Sequence, residues 1–338
     1  MKVCVVGAGA IGGYLAARLA LCGHEVCVSA RGAHLQAIAR DGLTLVDRDG
    51  AEQRTGRLHA SERLADLGRQ DIVLLALKAH QIAAVAPDIA ALLRDDTPIV
   101  AMQNGIPWWY FHRHGGALEG RRLETVDPGG TIAAHLPAAQ VIGCVAFKAA
   151  EVLRPGVIGH TVTATDKFPL GEPDGQSTGR VLAVSRMLER AGVAAPVLAD
   201  IRAEKWFKLL GNLAWNPICA LTQATVIEVC ESAEARALCL ALMREATAVA
   251  TALGVTLRAT PEARMKRAAE VGAVRPSMLQ DTQAGRRLEV EALVGAIVEL
   301  ARLTATPVPA TEAVHACATL LSSVITTRAV RIVPQAIS

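Results

Sequence analysis

Short apolar runs alternate with helical patterns through the first part of the chain. The β-branched run KVCVV at residues 2–6 and the run EVCVS at 25–29 both predict buried strands. The runs DIVLLAL (71–77) and PIVAMQNG (98–105) predict two more strands, with a helical pattern between them. Because strands that alternate with helices form parallel sheets covered on both faces, this pattern predicts an α/β fold.

Four further segments complete the prediction for this part of the chain. The pair Asp49-Gly50 predicts the turn of an inserted antiparallel hairpin. The runs VIGCVAF (141–147) and PGVIGHTVTA (155–164) predict strands, and TGRVLAVSRMLERAG (178–192) predicts a helix.

The pattern changes near residue 200, after which no clear strand signal remains. Helical periodicity covers residues 201–259, 262–271, 277–303 and 311–328. We therefore predict a Rossmann-type α/β domain over residues 1–199. It is followed by an all-helical domain over residues 200–338.

A glycine-rich turn joins the first predicted strand to the first predicted helix. It matches G-x-G-x-x-G with Gly7, Ala8, Gly9, Ala10, Ile11 and Gly12. In this context the first glycine permits a tight turn, the second lets the backbone approach a pyrophosphate, and the third lets helix and strand pack closely. The N-terminus of the helix supplies free N–H groups and a positive dipole end. The turn therefore predicts a dinucleotide site.

The residue types at the ends of the other strands narrow the choice of cofactor. The second strand ends in VSARG without the acid that usually binds the ribose of NAD. Arg31 can instead pair with a 2′-phosphate, which predicts NADPH and NADP+, unless it is a solvated surface arginine. Lys78 follows the third strand, and Gln103 and Asn104 follow the fourth. Ligands bind at this edge of open α/β sheets, so we expect all three to bind the cofactor.

One predicted helix carries an unexpected row of polar residues. In IRAEKWFKLLGNLAWNP (201–217), Lys208, Asn212 and Asn216 are spaced four residues apart. At 100° per residue they lie on one stripe of a mostly apolar helix. Buried ammonium and amide groups need partners, so the stripe predicts either a structural network between helices or a substrate pocket.

Two acids and a serine later in the chain bear on that choice. Glu289 and Glu291 are expected on the helix that follows PSMLQD (276–281), where a carboxylate would favour the pocket. Ser277 is followed three residues later by Gln280, which also fits a capping box. Ser277 could therefore be an N-cap only.

The composition excludes several classes of protein. The net charge is +3 over 338 residues with no block of like charge, so no nucleic-acid partner is expected. Glycines and Arg18 interrupt the apolar N-terminal run, which is atypical of a signal peptide or a membrane span. The eight cysteines form no C-x-x-C pair, which indicates buried thiols in a reducing cytosol and a cytoplasmic protein. A homodimer is compatible with the sequence.

The histidines do not predict a metal site. His112, His114 and His160 lack carboxylate or cysteine neighbours at metal-binding spacing. We expect them to be solvated or part of the core.

Taken together, these motifs resemble the ketopantoate reductase (2-dehydropantoate 2-reductase) family. The matching pieces are GAGAIGG, LALKAH, QNG, RAEKWFKLLGNLAWNP and SMLQD followed by Glu289, in the family's order and over nearly the whole chain. The resemblance implies that NADPH reduces the ketone of a 2-oxo acid. The expected substrate is ketopantoate and the product pantoate, a step of pantothenate and coenzyme A synthesis.

The resemblance also implies roles at the reacting centre. Lys208 is similar to the general acid that protonates the ketone oxygen, and Glu289 to the acid near that lysine. The residue types fit this chemistry, because hydride arriving at a carbonyl carbon leaves negative charge on the oxygen. A positioned cation that can also donate a proton stabilises that charge.

The remaining implied roles concern binding. By resemblance, Asn212 and Asn216 hold polar groups of the substrate, and Ser277 binds its carboxylate end. Lys78 and Asn104 are similar to residues at the junction of cofactor and substrate, so Asn104 is expected to bind both.

The chain departs from the family's pattern in two places. The segment 107–130 is longer than in compact members, and four of the ten aromatic residues fall at 108–111. We expect these aromatics in the core or an interface, although a pocket wall would imply a different substrate. Val226 stands near a position where the family has a polar residue that contacts substrate.

Two rival functions remain compatible with the sequence. One is a reductase of the same fold acting on a different 2-oxo or 3-oxo acid. The other is a non-catalytic NADPH-binding regulatory protein, against which the intact set of lysine, asparagines and Glu289 argues.

Overall fold

A computed structural model describes residues 1–334, apart from the side chain of Val271. The chain forms two compact units, one of residues 1–103 and 108–201, the other of 104–107 together with the chain from Arg202 onward. The predicted C-terminal domain extends to residue 338, and its last four residues lie outside the described part. The segment Asn104–Pro107 thus groups with the helical unit, although it directly follows a strand of the first unit.

The first unit contains two sheets and five α-helices. In chain order its strands are β1 (Lys2–Val6), β2 (Glu25–Ser29), β3 (Thr44–Val46), β4 (Glu52–Arg54), β5 (His59–Ser61), β6 (Ile72–Leu75), β7 (Ile99–Ala101), β8 (Val141–Cys144), β9 (Ala149–Arg154), β10 (Val157–Thr161) and β11 (Leu170–Gly171). Its helices are α1 (Ala10–Leu21), α2 (Gly32–Asp41), α3 (Ala79–Ala90), α4 (Thr131–His135) and α5 (Gly179–Arg190).

The larger sheet has the order β11-β8-β7-β6-β1-β2-β5. Every neighbouring pair is parallel except β11 with β8. β1 lies between β2 and β6, and Val3 to Val6 are almost fully buried. This arrangement confirms the predicted α/β class with a parallel-rich sheet, and it follows from the continuous apolar runs that buried parallel strands require.

A smaller sheet has the order β4-β3-β10-β9. It contains the predicted hairpin, in which β3 and β4 pair antiparallel on either side of Gly50 at φ +83°.

Sequence analysis did not identify α2, β5, β9 or β11. Strands of two or three residues, such as β11 and β5, are too short to show a periodic pattern.

The aromatic run 108–111 belongs to the core of the first unit, as expected. Each of its four side chains is at most 7% exposed. Trp109 packs against β8 where Gly143 leaves room, since a Cβ there would lie 2.7 Å from the indole ring. The run is therefore packed into the interior of the first unit.

The described residues of the second unit form helices joined by loops, without a strand, as predicted. Its helices are α6 (Ile201–Thr222), α7 (Val226–Glu231), α8 (Ala233–Ala252), α9 (Pro261–Val271), α10 (Ser277–Gln283), α11 (Ala296–Leu303) and α12 (Pro309–Thr327). A π-helical turn (Glu291–Gly295) precedes α11. Pro217 lies inside α6, and the helix continues through it to Thr222.

The helical pattern predicted over 277–303 is interrupted, which corrects the expected position of Glu289. α10 ends at Gln283, and Glu289 lies in the irregular segment just before the π turn. Asp281 closes α10, because its carbonyl accepts from Arg286 N–H at 2.9 Å and its carboxylate pairs with Arg286 Nε at 2.9 Å. Gly285 turns the chain at φ +67°.

The π turn is fixed by contact with the segment Asn104–Pro107. Ile106 N–H donates to the Ala292 carbonyl at 2.9 Å. Gly105 has φ +76°, and a Cβ at this position would overlap the Ala292 carbonyl oxygen. A glycine is therefore needed here for both its backbone conformation and its lack of a side chain.

Replacement of Gly105 tests this contact. Gly105→Ala should lower the free energy of unfolding by about 3 kcal/mol, because backbone strain and overpacking act together. Gly254→Ala is the matched control, since Gly254 has φ +78° and open space where a Cβ would lie. It should cost only about 1 kcal/mol. Denaturant unfolding measures both, and equal losses would contradict the packing role of Gly105.

Candidate active site

The glycine turn of the first unit is held in place by side chains around it. Gly7 N–H donates to Ser29 Oγ at 3.0 Å, and Ala8 N–H donates to the Ser29 carbonyl at 2.9 Å. His34 Nε2 lies 2.7 Å from the Ala8 carbonyl, while its Nδ1 accepts from Gly156 N–H at 3.0 Å. Because Nδ1 is the acceptor, Nε2 carries the proton and donates to Ala8. Sequence analysis did not predict this role of His34.

The three glycines of the motif have different surroundings. Gly7 has φ +96° with Leu77 packed 2.8 Å from where a Cβ would lie, and a Cβ on Gly12 would overlap the Gly7 carbonyl oxygen. By contrast, a Cβ on Gly9 would meet nothing within 4 Å. Gly9 is the N-cap of α1, whose first turn has neither a capping side chain nor an acidic residue. This open, positive helix end fits a phosphate.

Arg31 precedes α2 and has an acidic neighbour that sequence analysis did not identify. Its side chain is 73% exposed, and its Nε lies 3.6 Å from a carboxylate oxygen of Glu62. Such an exposed pair contributes about 0–1 kcal/mol, so a phosphate could replace the carboxylate as partner. Glu62 follows β5, and it was overlooked because that three-residue strand was not predicted.

Lys78 and Gln103 lie at the carboxyl ends of strands in the larger sheet, as expected. Lys78 is the half-buried N-cap of α3, and its N–H donates to Gln81 Oε1 at 3.1 Å. Gln103 is buried, and its Nε2 donates to the carbonyls of Leu75 and Leu77 at 2.7 and 3.2 Å. Gln103 therefore orders the chain that leads from β6 to Lys78.

In the second unit, α6 carries the predicted polar stripe, and the buried Glu204 and Lys205 lie nearer the start of the same helix. Lys208 and Asn212 are half-buried, and Asn216 is 3% exposed. Asn216 Oδ1 accepts from Ser277 Oγ at 3.1 Å and from Met278 N–H at 3.0 Å. This oxygen satisfies the start of α10, so the network between helices that the sequence left open is present at Asn216.

The alternative that Ser277 only caps its own helix is wrong. α10 begins at Ser277, its N-cap is Pro276, and no side chain of the helix caps it. Gln280 Nε2 donates to the Arg275 carbonyl at 2.9 Å and does not complete a capping box. Asn216 supplies the capping oxygen from α6 instead.

Glu289 and Asn104 are both positioned by the π turn. Glu289 is buried, and the preceding Leu288 N–H donates to Ser322 Oγ of α12 at 3.1 Å. Asn104 is half-buried and directly precedes the Gly105–Ile106 pair that contacts Ala292. The fold therefore brings these distant segments of the sequence to the same turn.

Two family models match most of the chain. Residues 3–175 match the model described as ketopantoate reductase PanE/ApbA, and residues 200–322 match ketopantoate reductase PanE/ApbA C terminal. The chain belongs to the ketopantoate reductase family. The resemblance found in the sequence motifs and the class of oxidoreductase are thereby confirmed.

The similarity to known ketopantoate reductases covers nearly the whole chain. A 2-dehydropantoate 2-reductase from Mesorhizobium japonicum is 47% identical over 317 residues, covering 94% of this chain and 96% of the relative. The crystal structure of a family member from Ralstonia solanacearum MolK2 is 38% identical with a TM-score of 0.90, covering 97% and 98%. A 2-dehydropantoate 2-reductase from Geobacter metallireducens GS-15 has 26% identity and a TM-score of 0.82, covering 95% and 99%.

The structure also describes the remaining residues that departed from the family's pattern. Val226 is buried at the start of α7, and its N–H donates to the Val274 carbonyl at 3.0 Å.

Six of the eight free cysteines are buried as expected, but Cys22 and Cys317 are exposed. Within residues 1–334, no three His, Cys, Asp or Glu side chains could hold a metal together, and no helix could span a membrane.

Two glycine variants separate the structural and binding parts of the motif. Gly12→Ala should destabilise the free protein by about 3 kcal/mol, because its Cβ would overlap the Gly7 carbonyl. Gly9→Ala should leave the melting temperature unchanged but weaken dinucleotide binding about tenfold or more, because the methyl group occupies the open space. Calorimetric titration with NADPH measures the affinity. Unweakened binding by Gly9→Ala would contradict the proposed phosphate position.

Proposed function

We propose that this protein uses NADPH to reduce the ketone of ketopantoate, a 2-oxo acid, to the hydroxyl of pantoate. In the balanced reaction, the carbonyl carbon receives a hydride and the carbonyl oxygen receives a proton. The observation that carries the proposal is the stripe of Lys208, Asn212 and Asn216 on α6 in a chain of this family.

Lys208 is proposed as the general acid. As hydride adds to the carbon, the oxygen becomes an alkoxide, which an ammonium group stabilises and then protonates. Glu289 is proposed as the acid that acts with Lys208. The burial of Glu289 strengthens electrostatic interactions between its carboxylate and charged neighbours.

The two asparagines are proposed to orient the substrate. Amides are neutral donors, so they can fix an oxo acid without much changing the proton affinity of Lys208. The support for Asn216 is that its oxygen accepts two hydrogen bonds from the start of α10, so its NH₂ group is the part that would donate to the substrate. Ser277 and Asn104 complete the proposed substrate contacts.

The residues of the first unit fit a nicotinamide dinucleotide. The open space at Gly9, the uncapped start of α1 and the exposed guanidinium of Arg31 are suited to phosphate groups. We assign Gly7, Ala8, Gly9, Ala10, Ile11, Gly12, Arg31, Lys78, Gln103 and Asn104 to binding it. When bound, NADPH supplies the hydride.

The other expectations from the sequence form part of the same proposal. We assign cofactor binding to residues 1–199 and substrate binding with catalysis to 200–338, in a cytoplasmic enzyme of pantothenate synthesis. The homodimer stays a prediction. The burial of residues 108–111 agrees with the expectation that this segment belongs to the core.

Substitution of Lys208 tests the proposed chemistry. Lys208→Ala should fold normally but lose about 10²- to 10⁴-fold in kcat, because both charge stabilisation and proton donation disappear. Its affinity for NADPH should stay within about twofold of the wild type. Lys266→Ala, an exposed lysine on α9, is the matched control and should be fully active. Near-normal turnover of Lys208→Ala would contradict the proposal.

The pair of Arg31 and Glu62 tests the preference for NADPH. Arg31→Ala should reduce the kcat/KM ratio of NADPH over NADH by about 10- to 100-fold, since it removes charged bonds to the 2′-phosphate. Glu62→Gln should raise that ratio by about two- to fivefold, because it removes a competing carboxylate. Initial rates with both cofactors measure the ratios, and an unaltered ratio in Arg31→Ala would contradict the assignment.

A further inference from the structure

Ala8 of the glycine turn is hydrogen-bonded on both sides of the segment that carries Arg31. Its N–H donates to the carbonyl of Ser29, the last residue of β2, at 2.9 Å. Its carbonyl accepts from Nε2 of His34, in the first turn of α2, at 2.7 Å. Because Arg31 lies between Ser29 and His34 in the chain, these two bonds fix where the Arg31 backbone lies relative to the turn.

The bond at Ser29 belongs to the sheet, whereas the bond at His34 depends on one side chain. After Ser29 the chain keeps one more contact to β5, from Ala30 N–H to the Ser61 carbonyl at 3.2 Å. Gly32 then has φ +54° and open space where a Cβ would lie. Since glycine restricts the backbone less than any other residue, the course of the segment depends on the next contact, which His34 makes.

The imidazole of His34 is itself held by the smaller sheet. Its Nδ1 accepts from Gly156 N–H, in the turn between β9 and β10, at 3.0 Å. The Gly156 carbonyl in turn accepts from Thr44 N–H of β3 at 2.9 Å. Gly156 has φ +77°, and a Cβ there would lie 3.0 Å from Cβ of Ala37 on α2. Gly156 is thus closely packed against α2, and its N–H sets the orientation of the ring.

These bonds define one tautomer of His34 and one role for it. A backbone N–H can only donate and a carbonyl can only accept, so Nδ1 is unprotonated and Nε2 carries the proton. Both ring nitrogens are then used by the protein. His34 therefore acts on a ligand through the position of the backbone and not by binding the ligand itself.

The structure of the cofactor makes that position important. In NADPH the 2′-phosphate and the pyrophosphate are attached to the same ribose, so the sugar limits their separation. A protein can bind both groups well only if its two phosphate sites are held at a matching separation. Here the proposed sites are the start of α1 at Gly9 and the side chain of Arg31. Ala8 directly precedes Gly9, so the bond between His34 and Ala8 connects the two sites.

We propose that His34 is a positioning residue that holds Arg31 at the distance the 2′-phosphate requires, and so contributes to the preference for NADPH over NADH. This inference rests on the proposed binding of NADPH by Arg31 and the glycine turn. NADH has no 2′-phosphate and needs only the turn. Loss of the bond to Ala8 should therefore weaken NADPH much more than NADH.

Two conservative substitutions separate the two bonds of His34. The amide of glutamine reaches the position of Nε2, so His34→Gln can still donate to Ala8. The amide of asparagine reaches only the position of Nδ1, so His34→Asn can still accept from Gly156 but loses the bond to Ala8.

Calorimetric titration of the full-length protein with NADPH and with NADH measures the effect. His34→Asn should raise the Kd of NADPH about three- to tenfold, the value of one hydrogen bond. Its Kd for NADH, and its kcat at saturating NADPH, should stay within about twofold of the wild type. His34→Gln should keep the Kd of NADPH within about twofold. An unchanged Kd of NADPH in His34→Asn, or an equal loss with both cofactors, would overturn the inference.

A control and a stability measurement guard against a purely structural explanation. His59→Asn replaces an exposed histidine on β5 and should bind both cofactors as the wild type does. A purely structural role of His34 would lower the melting temperature and the fraction of folded protein. The binding stoichiometry reports that fraction, so the Kd of the folded protein is measured separately. Equal losses of NADPH affinity in His34→Gln and His34→Asn would overturn the role of the bond to Ala8.

A double variant tests whether His34 acts through Arg31. In the Arg31→Ala background, His34→Asn should not weaken NADPH further, because no guanidinium remains to be positioned. If the losses of the two single variants add in the double variant, His34 acts independently of Arg31 and the inference is wrong.

The inference can fail independently of the proposed function. If the wild type prefers NADPH and His34→Asn keeps that preference, only the role of His34 is wrong. If the wild type prefers NADPH but reduces no oxo acid, the proposed reaction is wrong, and the Kd values still decide on His34. If the wild type binds NADPH no better than NADH, the assignment of Arg31 and the role of His34 are both overturned.

Discussion

Buried polar side chains on the mostly apolar helix α6 must find hydrogen-bond partners, and the start of α10 supplies them for Asn216. Its oxygen accepts from Ser277 and from the backbone of Met278. The amide oxygen of Asn216 therefore satisfies the start of α10. Lys208 and Asn212 lie further along the same stripe and are less buried. We interpret this gradient as a structural end and a substrate end of one polar row.

Elsewhere in the molecule, the structure depends on glycines at positions where a side chain would not fit. Gly105 lets the segment after β7 contact the π turn, which places Asn104 beside that turn, while Glu289 lies just before it in the chain. In the first unit, Gly7 and Gly12 are required by the packing of the protein itself, whereas Gly9 lies in open space. The glycine motif thus combines residues needed for folding with one that leaves room for a ligand, a division that its spacing alone does not reveal.

The larger features were predictable because they depend on periodicity and local turn chemistry. Long apolar runs indicated β1, β6 and the parallel sheet, and the Asp49-Gly50 pair indicated the hairpin. The position of Glu289 was not predictable from its helical pattern. That segment is interrupted by bonds to Asp281 and Ser322, which are tertiary contacts. Glu62 was overlooked for the same reason, because its neighbour Arg31 is distant in sequence.

The central claim is that the chain is a ketopantoate reductase whose α6 stripe receives a 2-oxo acid. The most direct measurement is NADPH oxidation by the purified wild-type protein, with ketopantoate compared with a panel of smaller, bulkier and aromatic 2-oxo acids. The account predicts that kcat/KM is highest for ketopantoate by at least about tenfold. Turnover confined to a different oxo acid would contradict the substrate. Tight binding of NADPH without turnover of any oxo acid would contradict the catalytic role of the stripe.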